Sequence, residues 1–418
     1  MWYFIRNRKS RDFFRFWFAQ LISQFGDRIY QMALVGVITV RYPGSVVEMS
    51  KLLFFTIIPT FIIGPIAGVY IDRWDRRTTL FVCYFIQGFL VLWAAFYLIR
   101  LPSIWPLYGT VFIIFSLSRF YIPAKMSFIP EIVHKDDLHV ANSLSNITGI
   151  IASGSGVLLG SLIVEYKGSL VGFTWDGICY FLSGILVLSI ATLRRPLPDH
   201  NAIIKGTREM LRVQKSIWQE IFDGIKYISS QKEIRFVFWM MTILAIPAGA
   251  IYSVIIVFIQ QTFHSVTKDL GFLAVPLAAG LFLGSLVYAK WGKKISSYKV
   301  IFWTLMLGGG MVVVFSFMVA TTHNLWVALS LAMVLGFVLA PVTIAPYTVI
   351  NKMCAREMSG KVFAALEFVV YSAFLLAMMI SSFLSEHIER LWILMAVGCI
   401  FMVVGLIGLF FEPSDCKE

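Results

Sequence analysis

Twelve apolar stretches follow one another along this chain, at 13–40, 49–71, 78–99, 105–129, 138–164, 171–193, 236–262, 270–290, 299–320, 325–350, 361–384 and 391–411. Short breaks between them hold most of the charge, proline and glycine. A helix needs about 20 apolar residues to cross the hydrocarbon core of a bilayer. Inside lipid the backbone polar groups can be satisfied only in helices or closed barrels. Stretches of this length predict an all-α membrane protein with twelve transmembrane helices. Composition excludes the soluble alternative. The chain is 59% hydrophobic and 14% charged, where a soluble domain carries about 25% charged residues, and its mean hydropathy is +0.81.

The formal net charge of +12 over 418 residues could point to nucleic acid, but its placement points to membrane topology. Of the 35 Lys and Arg, 26 fall on the side that holds the N-terminus, 6 on the opposite side and three inside spans: Arg28, Arg119 and Lys125. Basic loops stay in the cytoplasm, so both termini are expected there, and the number of spans must be even. The basic, aromatic start from Met1 to Arg15 lacks a cleavage-site pattern and reads as an uncleaved cytoplasmic segment. The longest polar interruption, Arg194 to Arg235, divides the chain. It predicts a six-helix bundle over 1–193, a cytoplasmic linker over 194–235 and a second bundle over 236–418. In the linker, Trp218, Ile221, Ile225 and Ile228 mark an amphipathic helix suited to the membrane interface.

The halves repeat each other. After the second span stands Gly68-Val-Tyr-Ile-Asp72-Arg73-Trp74-Asp75-Arg76-Arg77; after the eighth stands Ser285-Leu-Val-Tyr-Ala289-Lys290-Trp291-Gly292-Lys293-Lys294. Tryptophans and basic residues superpose. The first of these segments, continued to Leu80, resembles motif A of the major facilitator superfamily, with Asp75 where the family has glycine, a variant of its drug-exporter branches. The stretch Phe120 to Glu131 with Pro123, Lys125 and Pro130, followed by Ala141-Asn142-Ser143-Leu144, resembles an exporter branch. That branch includes macrolide and enterobactin exporters, with lysophospholipid transporters nearby. Pro341 to Val362 and Gly26-Asp27 match the same group.

The resemblance implies two pseudo-repeated bundles with a binding site near mid-membrane, lined by spans one, four, seven and ten. It also implies a cytoplasmic gate built from Gly68, Asp72, Arg73, Arg76 and Arg77, with Arg76 reaching Glu131 or Asp137. Ala289 stands where the second copy would need an acid, so that copy should latch more weakly. Gly149, Gly154, Gly156 and Gly160 of span five resemble the antiporter motif C only loosely, its proline being absent; ordinary close packing of helices accounts for them equally well.

Ionisable groups inside spans cost about 2.5–3.5 kcal/mol on insertion scales, so each needs a partner or a task. Asp27 lies in span one beside Arg28, on a polar stripe with Gln20, Gln24 and Gln31; Arg119 and Lys125 lie in span four; Glu367 lies in span eleven. Two readings of Asp27 stand side by side. In one, Asp27 exchanges a proton against substrate, tuned by Arg119, with Glu367 as a second candidate. In the other, Asp27 and Arg119 form a permanent structural salt bridge. Gln24, Tyr30, Gln31, Arg119, Phe120, Lys125, Trp239, Tyr252 and Tyr347 are candidates to line the substrate cavity.

With few charges, such a cavity favours amphipathic or drug-like cargo, and the expected activity is proton-coupled export through the bacterial inner membrane by a monomer. The alternative is a specific lipid or metabolite, such as a lysophospholipid or siderophore, gripped by Arg119 and Lys125. A membrane sensor or scaffold that transports nothing is the third reading. Neither cofactor, metal nor nucleic acid is expected. The five cysteines show no CxxC spacing. No GxxxxGK[ST] loop would bind ATP, and no HExxH or GxSxG motif suggests an enzyme.

Overall fold

The computed structural model describes residues 8–64, 67, 74–134, 137–190, 219, 221–291, 297–353 and 358–410. Its helices are α1 (Arg8–Arg41), α2 (Val46–Ile57), α3 (Pro59–Ile62), α4 (Arg76–Phe96), α5 (Trp105–Ile132), α6 (Leu138–Ile151), α7 (Val157–Lys167), α8 (Ser169–Leu188), α9 (221–230), α10 (Lys232–Phe263), α11 (Lys268–Trp291), α12 (Ser297–Thr322), α13 (Leu325–Met353), α14 (Ser359–Leu384) and α15 (Arg390–Phe410). No strand occurs among the described residues. Ten spans among them are long and apolar enough to cross a membrane. Helix α1, 34 residues long, falls outside that set because its polar stripe dilutes the hydropathy. The second apolar stretch is broken at Ile58, before Pro59, which has no N–H to continue the helix.

Local chemistry explains the helix ends. The Asp75 carboxylate caps α4, accepting from the Thr78 backbone N–H at 2.8 Å and from its hydroxyl at 2.6 Å. Gly168, the single residue between α7 and α8, has φ of +82°, a conformation that glycine adopts without strain. Between α6 and α7 the chain makes a π-turn over Ala152–Gly156. Such turns re-aim side chains and often sit at functional sites; this one presents Ser153 to α1.

The chain forms two compact units. The first contains α1, the second half of α2, and α3 to α8. The second contains α9 to α15, except that Val266–Lys268 belongs with the first unit and Tyr42–Lys51 with the second. In the first unit, Glu165 on α7 accepts backbone N–H groups of Thr267 (2.7 Å) and Lys268 (3.0 Å). In the second, α9 buries Ile221 and Ile228 and exposes Phe222, a helical stripe. That stripe lies against α14. Asp223 pairs with Lys361 at 3.0 Å, and a Cβ on Gly224 would lie 2.3 Å from the Lys361 carbonyl oxygen. The earlier part of the linker lies outside the described residues.

Both units use one packing scheme. In the first, α4 packs on α5 and α8, and α1 on α7 and α8; in the second, α12 packs on α13 and α15, and α10 on α14 and α15. Glycines set the closest approach in each. Gly88 meets the Gly177 carbonyl across α4 and α8, and Gly309 meets the Gly398 carbonyl across α12 and α15. Each glycine of the second pair lies the same number of residues beyond its counterpart in the first. Trp74, the first tryptophan of the sequence repeat, stacks on Phe120 (centroids 6.1 Å apart); the side chain of Trp291 lies outside the described residues.

Candidate functional site

The first unit holds a polar cluster where α1, α4, α5 and α8 meet, and glycines make room for it. A Cβ on Gly160 of α7 would lie 2.8 Å from the Ile29 Cα, and one on Gly156 would lie 3.1 Å from the Arg28 Cβ. Two of the four span-five glycines therefore let α7 close on α1. Gly154 faces open space, and Gly149 neighbours the Gln24 side chain.

The stripe along α1 divides by partner. Gln20, 1% exposed, donates to the Ser145 carbonyl (3.1 Å) and accepts from its hydroxyl (2.8 Å), tying α1 to α6. Ser23 shares a hydrogen bond with the Tyr84 hydroxyl at 3.1 Å. Tyr84 in turn packs on the rings of Tyr121 and Tyr180. Asp27, half-buried, accepts a hydrogen bond from the Tyr180 hydroxyl of α8. Arg28 donates to Gln31 and to Ser153 of the π-turn, both at 2.9 Å.

Asp27 thus has a tyrosine hydroxyl for a partner, while its chain neighbour Arg28 turns to Gln31 and Ser153. The structure does not bring Arg119 to it. Arg119 and Lys125 are half-buried on α5, and Glu367 is exposed on α14 in the other unit. Tyr30 is 2% exposed and packs edge-on to Phe173, with centroids 5.4 Å apart. Phe120 and Trp74 line an apolar groove of about 340 Å³ with Thr79, Val82 and Cys83. Trp239 and Tyr252 are exposed on α10, Tyr252 against Phe374.

At the end of the unit that carries the motif, Arg76 donates to Glu131 and to the Ser127 carbonyl (3.1 Å). Arg77 donates to the Val187 carbonyl (3.3 Å) and to the Leu188 carbonyl, at the C-terminal end of α8. A cation there meets the negative end of the helix dipole. Gly68, Asp72, Arg73 and the side chain of Tyr347 lie outside the described residues.

Sequence reasoning passed over Asp176. It is 0% exposed on α8, one turn before Tyr180, and neither carboxylate oxygen has a hydrogen-bond partner. Its Oδ1 occupies the notch left by Gly26, where a Cβ would come within 2.4 Å. The signal was available: an acid in the middle of an apolar run, the feature that marks Asp27.

The model of the Major Facilitator Superfamily matches residues 16–376. The chain belongs to this superfamily. It is therefore a multi-pass membrane transporter and not an enzyme. Among its relatives is the uncharacterized MFS-type transporter YkuC of Bacillus subtilis, 24% identical over 85% of this chain and 81% of that protein. Another is the putative bacilysin exporter BacE of the same organism, 22% identical over 96% of this chain and 95% of that protein. The solved structure of an auto-inhibited POT-family peptide transporter superposes with a TM-score of 0.70 at 12% identity, covering 98% of each chain. At that identity the likeness concerns the fold.

Proposed function

We propose that this superfamily member exports amphipathic or drug-like molecules from the cytoplasm across the bacterial inner membrane, as a monomer, by alternating access coupled to protons. The observation that carries the reading is Asp27: a half-buried carboxylate in the middle of a span-length helix, held by a tyrosine hydroxyl. Such a group is expensive in a membrane unless it has work to do. The exporter sense follows the name of a relative matched over nearly its whole length. The cargo class follows the apolar and aromatic surroundings, where desolvation drives binding and specificity is broad. The pairing of Arg76 with Glu131 supplies the latch that opens during the cycle.

The test uses proteoliposomes, an imposed pH gradient and ethidium as probe. Wild-type protein should move ethidium against its gradient when protons flow the other way. Asp27→Asn should lose this uphill movement yet keep ethidium counterflow. Unimpaired proton-driven transport by Asp27→Asn, at a normal protein level, rules the assignment out.

A second reading rests on Arg119 and Lys125, two half-buried cations on one helix. They would grip the anionic head of a lysophospholipid or siderophore. Under that reading Arg119→Ala abolishes lysolipid transport and leaves ethidium efflux nearly intact.

A further inference from the structure

Asp176 is the most costly side chain in the first unit. An ionised carboxylate sealed from water carries an effective penalty of several kcal/mol unless partners offset it, and neither of its oxygens receives a hydrogen bond. A neutral carboxyl group escapes most of that penalty. Among the described residues no partner supplies the missing counter-charge. On α1, Arg28 is engaged with Gln31 and Ser153, and Tyr30 is buried. Tyr84 of α4 is engaged with Ser23, and α8 adds Cys179 and the Tyr180 hydroxyl, which donates to Asp27. Tyr121 of α5 completes the ring by packing on Tyr84.

The fold does not require an acid here. The glycine pairs Gly88–Gly177 and Gly309–Gly398 fix the register between the units, and in that register Asp176 corresponds to Val397, Tyr180 to Phe401 and Tyr84 to Leu305. Leu305 and Phe401 belong to an apolar cluster together with Leu244 of α10. The second unit makes the same helix contacts with no acid at this position.

We propose that Asp176 is a second proton site, which holds the coupling proton while Asp27 is ionised and hands it to Asp27 during the cycle. This rests on the proton-coupled reading above. The two carboxyl groups differ in access: Asp27 is half-buried and Asp176 fully buried, so Asp27 is the accessible end and Asp176 the interior store. In the transfer an O–H bond at Asp176 breaks, an O–H bond at Asp27 forms, and the single negative charge moves from Asp27 to Asp176. Tyr180, one helical turn from Asp176 and hydrogen-bonded to Asp27, can relay by giving its own proton to Asp27 and accepting that of Asp176. Two carboxyl groups in unlike environments divide acid and base roles between them.

Infrared spectroscopy of the full chain in nanodiscs at neutral pH reads the store directly, through the carbonyl band of a neutral carboxyl group. The band should be present in wild type, absent in Asp176→Asn and in Asp176→Val (the residue the other unit tolerates), and retained in Asp27→Asn. In ethidium-loaded proteoliposomes Asp176→Asn should lose proton-driven efflux and keep counterflow. A spectrum that neither Asp176 substitution changes overturns the proposal, and so does unaltered proton-driven efflux by folded Asp176→Asn. Failure of the exporter reading looks different: the band behaves as described, yet wild-type protein moves ethidium without regard to the pH gradient. That result removes the coupling role.

Discussion

The two units solve one packing problem with different interiors. Where α4 meets α8, a glycine pair lets the backbones approach and Tyr84 packs on Tyr180, with Asp176 on the neighbouring face of α8 against Gly26 of α1. Where α12 meets α15, the corresponding glycines do the same, and Leu305, Phe401 and Val397 stand in those places. In lipid no hydrophobic force drives helices together, so association depends on close packing, and small residues provide it. The polar cluster is an addition to a seam that works without it. Under the proposal above, the cost that one half of the repeat carries and the other avoids serves transport.

The largest effect comes from breaking what the units share. A Cβ on Gly309 would lie 2.5 Å from the Gly398 carbonyl oxygen and 2.5 Å from the Met402 backbone nitrogen, whereas one on Gly88 meets its neighbours at 3.2–3.3 Å. Overpacking of this kind costs roughly 1–3 kcal/mol, occasionally more. Gly309→Ala should reach or pass the upper end of that range and Gly88→Ala the lower end, as read by thermal unfolding in detergent. Equal losses would mean that the seams tolerate a methyl group alike.

The next effect comes from making the first unit resemble the second. Tyr180→Phe installs the counterpart residue and removes the Tyr180 hydrogen bond to Asp27. A hydrogen bond to a charged group contributes about 1.5–3 kcal/mol. Part of this is recovered, because the ring still packs. Stability should fall by roughly 1 kcal/mol while ethidium efflux under a pH gradient falls far more than counterflow does. If both activities fall together, Tyr180 serves only to hold α8 on α1.

What the sequence made legible follows from where the forces are local. Apolar runs and charged breaks record each helix's own encounter with lipid, so the helical membrane class and the superfamily could be read directly. Asp27 was legible because an acid in an apolar run is costly whatever surrounds it. Its partner was not, because the choice of Tyr180 over Arg119 depends on which face of α8 meets α1, and that is set by Gly26, Gly160 and Gly172 across three helices. Asp176 carried the same local signal as Asp27. The repeat of Gly88 and Gly177 was also readable, since the glycines recur at one fixed displacement, although their role as contact points appears only when the helices are packed. The contact of α9 with α14 at Gly224 has no sequence signature beyond the stripe.

A smaller effect separates the units at their charged ends. Arg76 is 19% exposed and also anchored to the Ser127 carbonyl, and Glu131 is 32% exposed. In the second unit the exposed Asp223 meets Lys361 between α9 and α14. Surface ion pairs contribute about 0–1 kcal/mol, so a double-mutant cycle on each pair should find coupling in that range. Arg76–Glu131 should lie nearer the top, because its arginine is less exposed and already held by a carbonyl. High salt should erase the Asp223–Lys361 coupling and leave part of the other, since screening acts most strongly on exposed charges. Substituting Arg76 by Gln should nevertheless alter ethidium transport more than substituting Lys361 by Gln, because a latch acts on the balance between conformations and not through its own small energy. Equal effects on transport would place the two pairs in the same class, as simple ties between helix ends.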